Sequence, residues 1–179
     1  RVSAIEGHAY AERRLPNEAD RPLAAVSAVF VPLSQTFLAR LELIKAHARR
    51  SQHDFVDAAS ALRREREAYE KAVWEAGFPD LVVGTASDAD GRFGVAALPA
   101  GDWLLIATRS VLIERSGSRV SPRDRSTFAP RLRLEGYYAV SVWLRRLSTE
   151  AGRTEKIDLT DRNVWFTGVV EDRSPDRGR

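Results

Sequence analysis

From Ser34 to Ala76 the chain contains neither glycine nor proline. Apolar or small residues recur there at Phe37, Leu41, Ile44, Ala48, Ser51, Phe55, Ala58, Leu62, Tyr69 and Ala72. Steps of three and four residues put one stripe on one face of a helix, close to a coiled-coil seam. Gly77 and Pro79 follow as a C-terminal cap and a stop. A single rod over this stretch would be roughly 63 Å long at ~1.5 Å per residue. The rest of the chain makes a body only roughly 35–40 Å across. The stretch also joins two segments that belong to that body, so its ends must return to each other. The spacing therefore predicts a hairpin of two helices, broken within residues 49–54. Ser51 and Asp54 are N-cap residues there, and basic residues precede them, as a helix C-terminus favours.

On both sides of the helices the pattern is that of strands. Ile5, Gly7, Ala9 and Ala11 alternate with polar neighbours. A polar loop, "RRLPNEADRP", leads to a β-branched run from Leu23 to Leu33. After the helices, Leu81, Val83 and Thr85 alternate, then Phe93, Val95 and Ala97. Further runs span 102–114, 137–147 and 156–170, with a polar loop at 116–130 between the first two. These signals predict a mainly β fold: an antiparallel β-sandwich of about seven strands. One domain covers 1–170, and the helical insertion (34–76) falls between the second and third strands. Residues 171–179 hold too little apolar content to order and are expected to be a disordered tail.

The stretch "TASDADGRFGVAALPAGDWLLIAT" resembles the signature of carboxypeptidase regulatory-like domains, which have a transthyretin (prealbumin) type of sandwich. The matching positions are Thr85, Ser87, Asp88, Gly91, Arg92, Phe93, Leu98, Pro99, Gly101 and Trp103. The opening "EGHAYAE…RPLAAVSAVFVPL" is similar to the family's Gly-bearing first strand, loop and second strand. The helical insertion departs from the common core. The resemblance implies a prealbumin-like sandwich and a non-catalytic module, often extracytoplasmic, attached to enzymes, receptors or surface proteins.

Physical chemistry assigns Asp88, Asp90, Gly91, Pro99 and Gly101 to turns. Gly91 supplies the positive φ of a type I turn with a G1 bulge. Asp88 accepts backbone N–H groups at the turn's first position. Pro99 presets φ for a second turn that Gly101 closes. Read instead as a calcium loop, Asp88-Ala89-Asp90-Gly91 fails. Counted from Asp88, the fifth position is Arg92 and the twelfth is Pro99, where an EF-hand needs oxygen ligands.

The absence of cysteine removes thiolate nucleophiles and zinc–thiolate sites. His8, His47 and His53 do not share a face, so they do not form a three-histidine metal site. Lys156 and Asn163 lie too close in sequence to make the intramolecular isopeptide bond of some surface sandwiches. No enzyme and no cofactor is expected.

Three surfaces are candidates for binding. The helical stripe would meet a protein partner or a second copy through Phe55, Leu62, Tyr69 and Trp74. Exposed aromatics, Trp143, Trp165, Tyr137 and Tyr138, would stack on carbohydrate or another small ligand. Arg119, Arg123 and Arg125 stand in the basic stretch 109–133 and would contact a polyanion. That stretch lacks interleaved aromatics apart from Phe128, so nucleic acid is not the expected partner. No run approaches the ~18 apolar residues of a membrane span. The leading expectation is a non-catalytic structural or interaction module of a bacterial envelope or secreted protein. Its expected location is outside the cytoplasm: periplasm, cell surface or secreted.

Overall fold

The computed structural model describes residues 1–113 and 136–171. Strand β1 (Val2–Ala11) buries Ser3, Ile5, Gly7 and Ala9, the alternate phase read from the sequence. Strand β3 (Ser27–Pro32) buries nearly every side chain, as a β-branched apolar run in a sheet interior should. Helix α1 (Gln35–His47) starts at Ser34, whose side chain accepts from the Phe37 N–H. Helix α2 (Gln52–Glu75) starts at Ser51, which accepts from the Asp54 N–H. The break spans residues 48–51, one residue ahead of the expected 49–54 at its start, and the two helices pack on each other as a hairpin. Helix α2 ends in a Schellman motif. Gly77 (φ 93°) donates to the Trp74 carbonyl and Phe78 to that of Val73.

The remaining elements are a 3₁₀ turn (Pro79–Leu81), β4 (Val83–Ala86), β5 (Arg92–Pro99), β6 (Gly101–Ile113), β7 (Tyr137–Thr149), β8 (Thr154–Thr160) and β9 (Phe166–Glu171). Two sheets result. One holds β2 (Arg21–Pro22), β1 and β5 in that order, with β8 also on β1, and the other runs β4-β3-β6-β7-β9. The mainly β sandwich with a helical insertion is therefore observed, with departures in detail.

Among the described residues there are nine strands rather than about seven. The polar loop contains a two-residue strand, β2 (Arg21–Pro22), paired with Tyr10 and Ala11. The 156–170 run is cut in two by an Asn163 turn. Its Oδ1 accepts from the Thr160 N–H, and its Nδ2 donates to the Asp158 carbonyl. Within the antiparallel sandwich one pairing differs: β8 lies parallel to β1 from Ala4↔Thr154 to Tyr10↔Thr160. Residues 150–153 carry the chain from the end of β7 in one sheet straight into the other, and that crossing fixes the direction of β8. In β5 the alternation breaks at Ala97, which is exposed while Leu98 is buried. The register with β1 shifts between Ser3 and Ile5, so a bulge on β5 moves the inward phase by one residue. Glu171 is the last residue of β9 and not the start of a tail; 172–179 lie outside the described residues.

The core has two parts. Between the sheets pack Ile5, Phe30, Phe93, Leu98, Trp103, Leu105, Trp143 and Leu159. On the far side of the five-stranded sheet, Val31, Leu104, Ile106, Val140, Val142 and Phe166 meet Phe37, Leu41, Ala58 and Leu62 of the helices. Strand β6 is thus buried on both faces through its first half. The molecule has three layers: sheet, sheet and helical hairpin.

Candidate functional site

Along the helix-facing side of β6 the residues are Leu104, Ile106, Thr108 and Ser110. The same face changes from apolar to hydroxylic as the strand leaves the hairpin's cover. Register places Ser110 opposite Val140, Thr108 opposite Val142 and Ser27, and Ile106 opposite Leu144 and Val29. Above this face passes α2. Between them lies a cleft of about 330 Å³. Its floor is aliphatic: Leu41, Leu62, Ile106, Val140, Val142 and Leu144. Its mouth carries Ser27, Thr108 and Ser110 from the sheet, Arg63 and Arg66 from α2, and Trp165 before β9.

The polar groups at the mouth are loosely held by the protein. Arg63 lies 4.0 Å from Glu67 on the open helix surface, a pair worth little in water. Arg66 Nε stands 3.4 Å from Glu70 Oε1. Yet Nε is buried and makes no hydrogen bond, because the carboxylate is out of line. Burial pushes the Glu70 carboxyl above the usual carboxylate range, with Arg66 opposing the rise and Glu67 adding to it. Trp165 is fixed from the side by α1. Its Nε1 donates to Glu42 at 3.3 Å, and Lys45 Nζ stands 4.9 Å from the ring centroid.

Sequence reasoning missed this cleft, although two signals point to it. The stripe on α2 runs Phe55, Ala58, Leu62, Tyr69, and Arg66 occupies the helical position between the last two. On β6, "WLLIAT" is apolar in both phases, which marks a strand covered on both sides.

The residues singled out from sequence divide into three groups. The first holds the turn at 88–92. Asp88 Oδ1 accepts from the N–H groups of Asp90 and Arg92 at 2.9 Å each. Gly91 donates to the Asp88 carbonyl, and Asp88 N–H donates to that of Arg92. This is the bonding of a type I turn with a G1 bulge, and Gly91 has φ 76°. The turn does not close a hairpin, since β4 and β5 enter different sheets. Pro99 and Gly101 likewise flank a passage between sheets, and the Pro99 carbonyl accepts from Trp103 Nε1 at 2.8 Å.

The second group was expected on a partner surface. Leu62 is 5 % exposed and belongs to the helix–sheet core. Tyr69 stacks on Phe37 with centroids 4.2 Å apart and donates to the Pro32 carbonyl at 2.6 Å. Phe55 is half-buried, 6.5 Å from the Phe166 ring. Leu62 and Tyr69 thus pack into the helix–sheet core. Trp74 alone of the four stands in solvent, 64 % exposed, beside the helix end.

The third group comprises the expected ligand-stacking aromatics. Trp143 is 1 % exposed and donates to the Thr160 carbonyl, so it is core rather than platform. Trp165, Tyr137 and Tyr138 are half-buried. Arg119, Arg123 and Arg125 lie outside the described residues. His8 stacks near Tyr10, while His47 ends α1 and His53 begins α2. Among the described residues no three His, Cys, Asp or Glu side chains gather as a metal site.

No protein-family model matches the chain, and no curated protein matches it. Among solved structures, it is similar to one from Pseudomonas aeruginosa, named as a proposed carbohydrate-binding protein. The TM-score is 0.50 at 13% identity, over 89% of this chain and 88% of that one. It also overlaps the pilus backbone of Streptococcus pneumoniae, with a TM-score of 0.28 and 19% identity, over 60% of this chain and 30% of that one. What the first of these likenesses shows is the fold, a β-sandwich.

Proposed function

We propose that this chain is a non-catalytic binding module of the carboxypeptidase regulatory-like type, working outside the cytoplasm, and that a small ligand enters the cleft beneath its helical hairpin. The cleft carries the proposal. It sets the under-bonded guanidinium of Arg66 and three sheet hydroxyls over an aliphatic floor. A concave, mostly apolar site with a few convergent polar groups is what small-molecule binding requires. The non-catalytic part is supported by the occupation of the motif's polar residues. Asp88 is spent on two turn N–H groups, and Ser87 accepts from the Val26 N–H while donating to the Leu23 carbonyl. The name of the Pseudomonas structure supports a ligand-binding role on this fold. The extracytoplasmic location rests on the family resemblance.

The test is a titration of the intact protein with 1-octanol, followed by amide NMR and Trp fluorescence. Saturable shifts should gather at Ile106, Val142 and Trp165, and vanish in Ser110→Trp, which fills the mouth from an exposed position. Shifts scattered over the surface, or unchanged in Ser110→Trp, would sink the cleft as a binding site.

A further inference from the structure

The cleft has a chemical direction. At one end β6 and β7 offer the aliphatic pair Ile106 and Leu144. At the other, Thr108 and Ser110 present hydroxyls to a cleft that Arg63 and Arg66 also line. None of these hydroxyls bonds to another described residue. Two arginines stand there beside two glutamates that hold them loosely. Arg63 meets Glu67 only at 4.0 Å, and the Arg66–Glu70 pair is out of hydrogen-bonding line. Burial also raises the Glu70 carboxyl, with Arg66 opposing the rise. Arg66 is the notable residue. It occupies the apolar stripe, one turn beyond Leu62 and one before Tyr69. Its Nε is buried without a hydrogen bond although Glu70 stands 3.4 Å away, and a planar anion accepting from the guanidinium's fork would relieve the cost of that unmet donor.

We infer that the cleft takes a short single-chain carboxylate, its alkyl chain on the aliphatic floor and its head on Arg66 with Thr108 and Ser110. The inference rests on the binding reading above and names the ligand class. Size agrees. A volume of about 330 Å³ holds roughly ten non-hydrogen atoms at about 30 Å³ each, the share a molecule of liquid water takes. That is the size of octanoate. Floor chemistry agrees as well. Sugar rings are gripped by flat aromatic faces, whereas this floor is made of branched aliphatic chains that pack on methylenes.

Isothermal titration of the whole chain with octanoate, 1-octanol and glucuronate, below micellar concentrations, tests it. Octanoate should bind about tenfold or more tightly than octanol, and the difference should shrink as salt is raised. Arg66→Gln should weaken octanoate about tenfold and leave octanol unchanged. Ser110→Glu, at an exposed position, should expel octanoate by placing a like charge beside its head. Circular dichroism and melting of both variants show that they are folded. If octanol binds as well as octanoate, or Arg66→Gln and Ser110→Glu leave octanoate unaffected, the anion site is wrong and the cleft reading survives. If glucuronate binds more tightly than octanoate, the ligand is a sugar acid and the alkyl assignment is overturned. If none of the three binds, both the ligand class and the cleft fail.

Discussion

At the scale of single residues, Asp88 shows how a metal-like motif becomes a scaffold. One oxygen receives two N–H groups, so the carboxylate is saturated by its own loop. Asp88→Ala should cost about 1–2 kcal/mol, because two backbone donors lose their acceptor; thermal melting measures it, and added calcium should leave the wild-type melting temperature unmoved. Gly91→Ala should cost more, about 2 kcal/mol or above. A methyl there would sit 2.2 Å from the Ala9 carbonyl oxygen on top of a left-handed φ of 76°. Both roles were legible, since turn chemistry is local. Glu70 was not legible, because its environment is made by distant strands. Its carboxyl is raised by burial, Glu67 adding and Arg66 opposing. A carboxyl raised in the folded state favours the protonated form. Its contribution to stability is therefore complete below the ordinary carboxylate value and is lost as pH climbs through the raised one. Glu70→Gln should then stabilise the protein slightly at neutral pH, by less than about 1 kcal/mol. The gain should disappear below about pH 4, as melting curves across pH would show.

At the scale of elements, the hairpin was legible because helices announce their own ends. Ser34 and Ser51 cap, and Gly77 stops. What the stripe would cover was not legible, since nothing local says whether an apolar face meets its own domain or another chain. The answer is the five-stranded sheet. Leu62→Arg should thus destabilise the fold by about 3 kcal/mol or more, through an unpaired buried charge. Trp74→Arg, at a site 64 % exposed, should be tolerated within about 0.5 kcal/mol. Equal effects in chemical denaturation would refute this division of the helix. Tyr69→Phe should cost about 1 kcal/mol by removing the bond to Pro32 while keeping the stack on Phe37.

At the scale of the whole molecule, the sandwich was legible in alternation and turn spacing, and its topology was not. Strand direction depends on where the chain crosses between sheets, and the residues of the short turns after β4, β5 and β7 specify a turn without specifying which sheet the next strand joins. The parallel pairing of β1 with β8 is the plainest case. It carries a consequence for synthesis. Strand β1 emerges from the ribosome before its partner at 154–160, which follows roughly 7–30 s later at about 5–20 residues per second. In that interval one side of β1 has no sheet neighbour. A nascent chain therefore carries an open strand edge until residues 154–160 have emerged, and a protein stopped at residue 153 should bind holdase chaperones and aggregate where the chain through 171 does not.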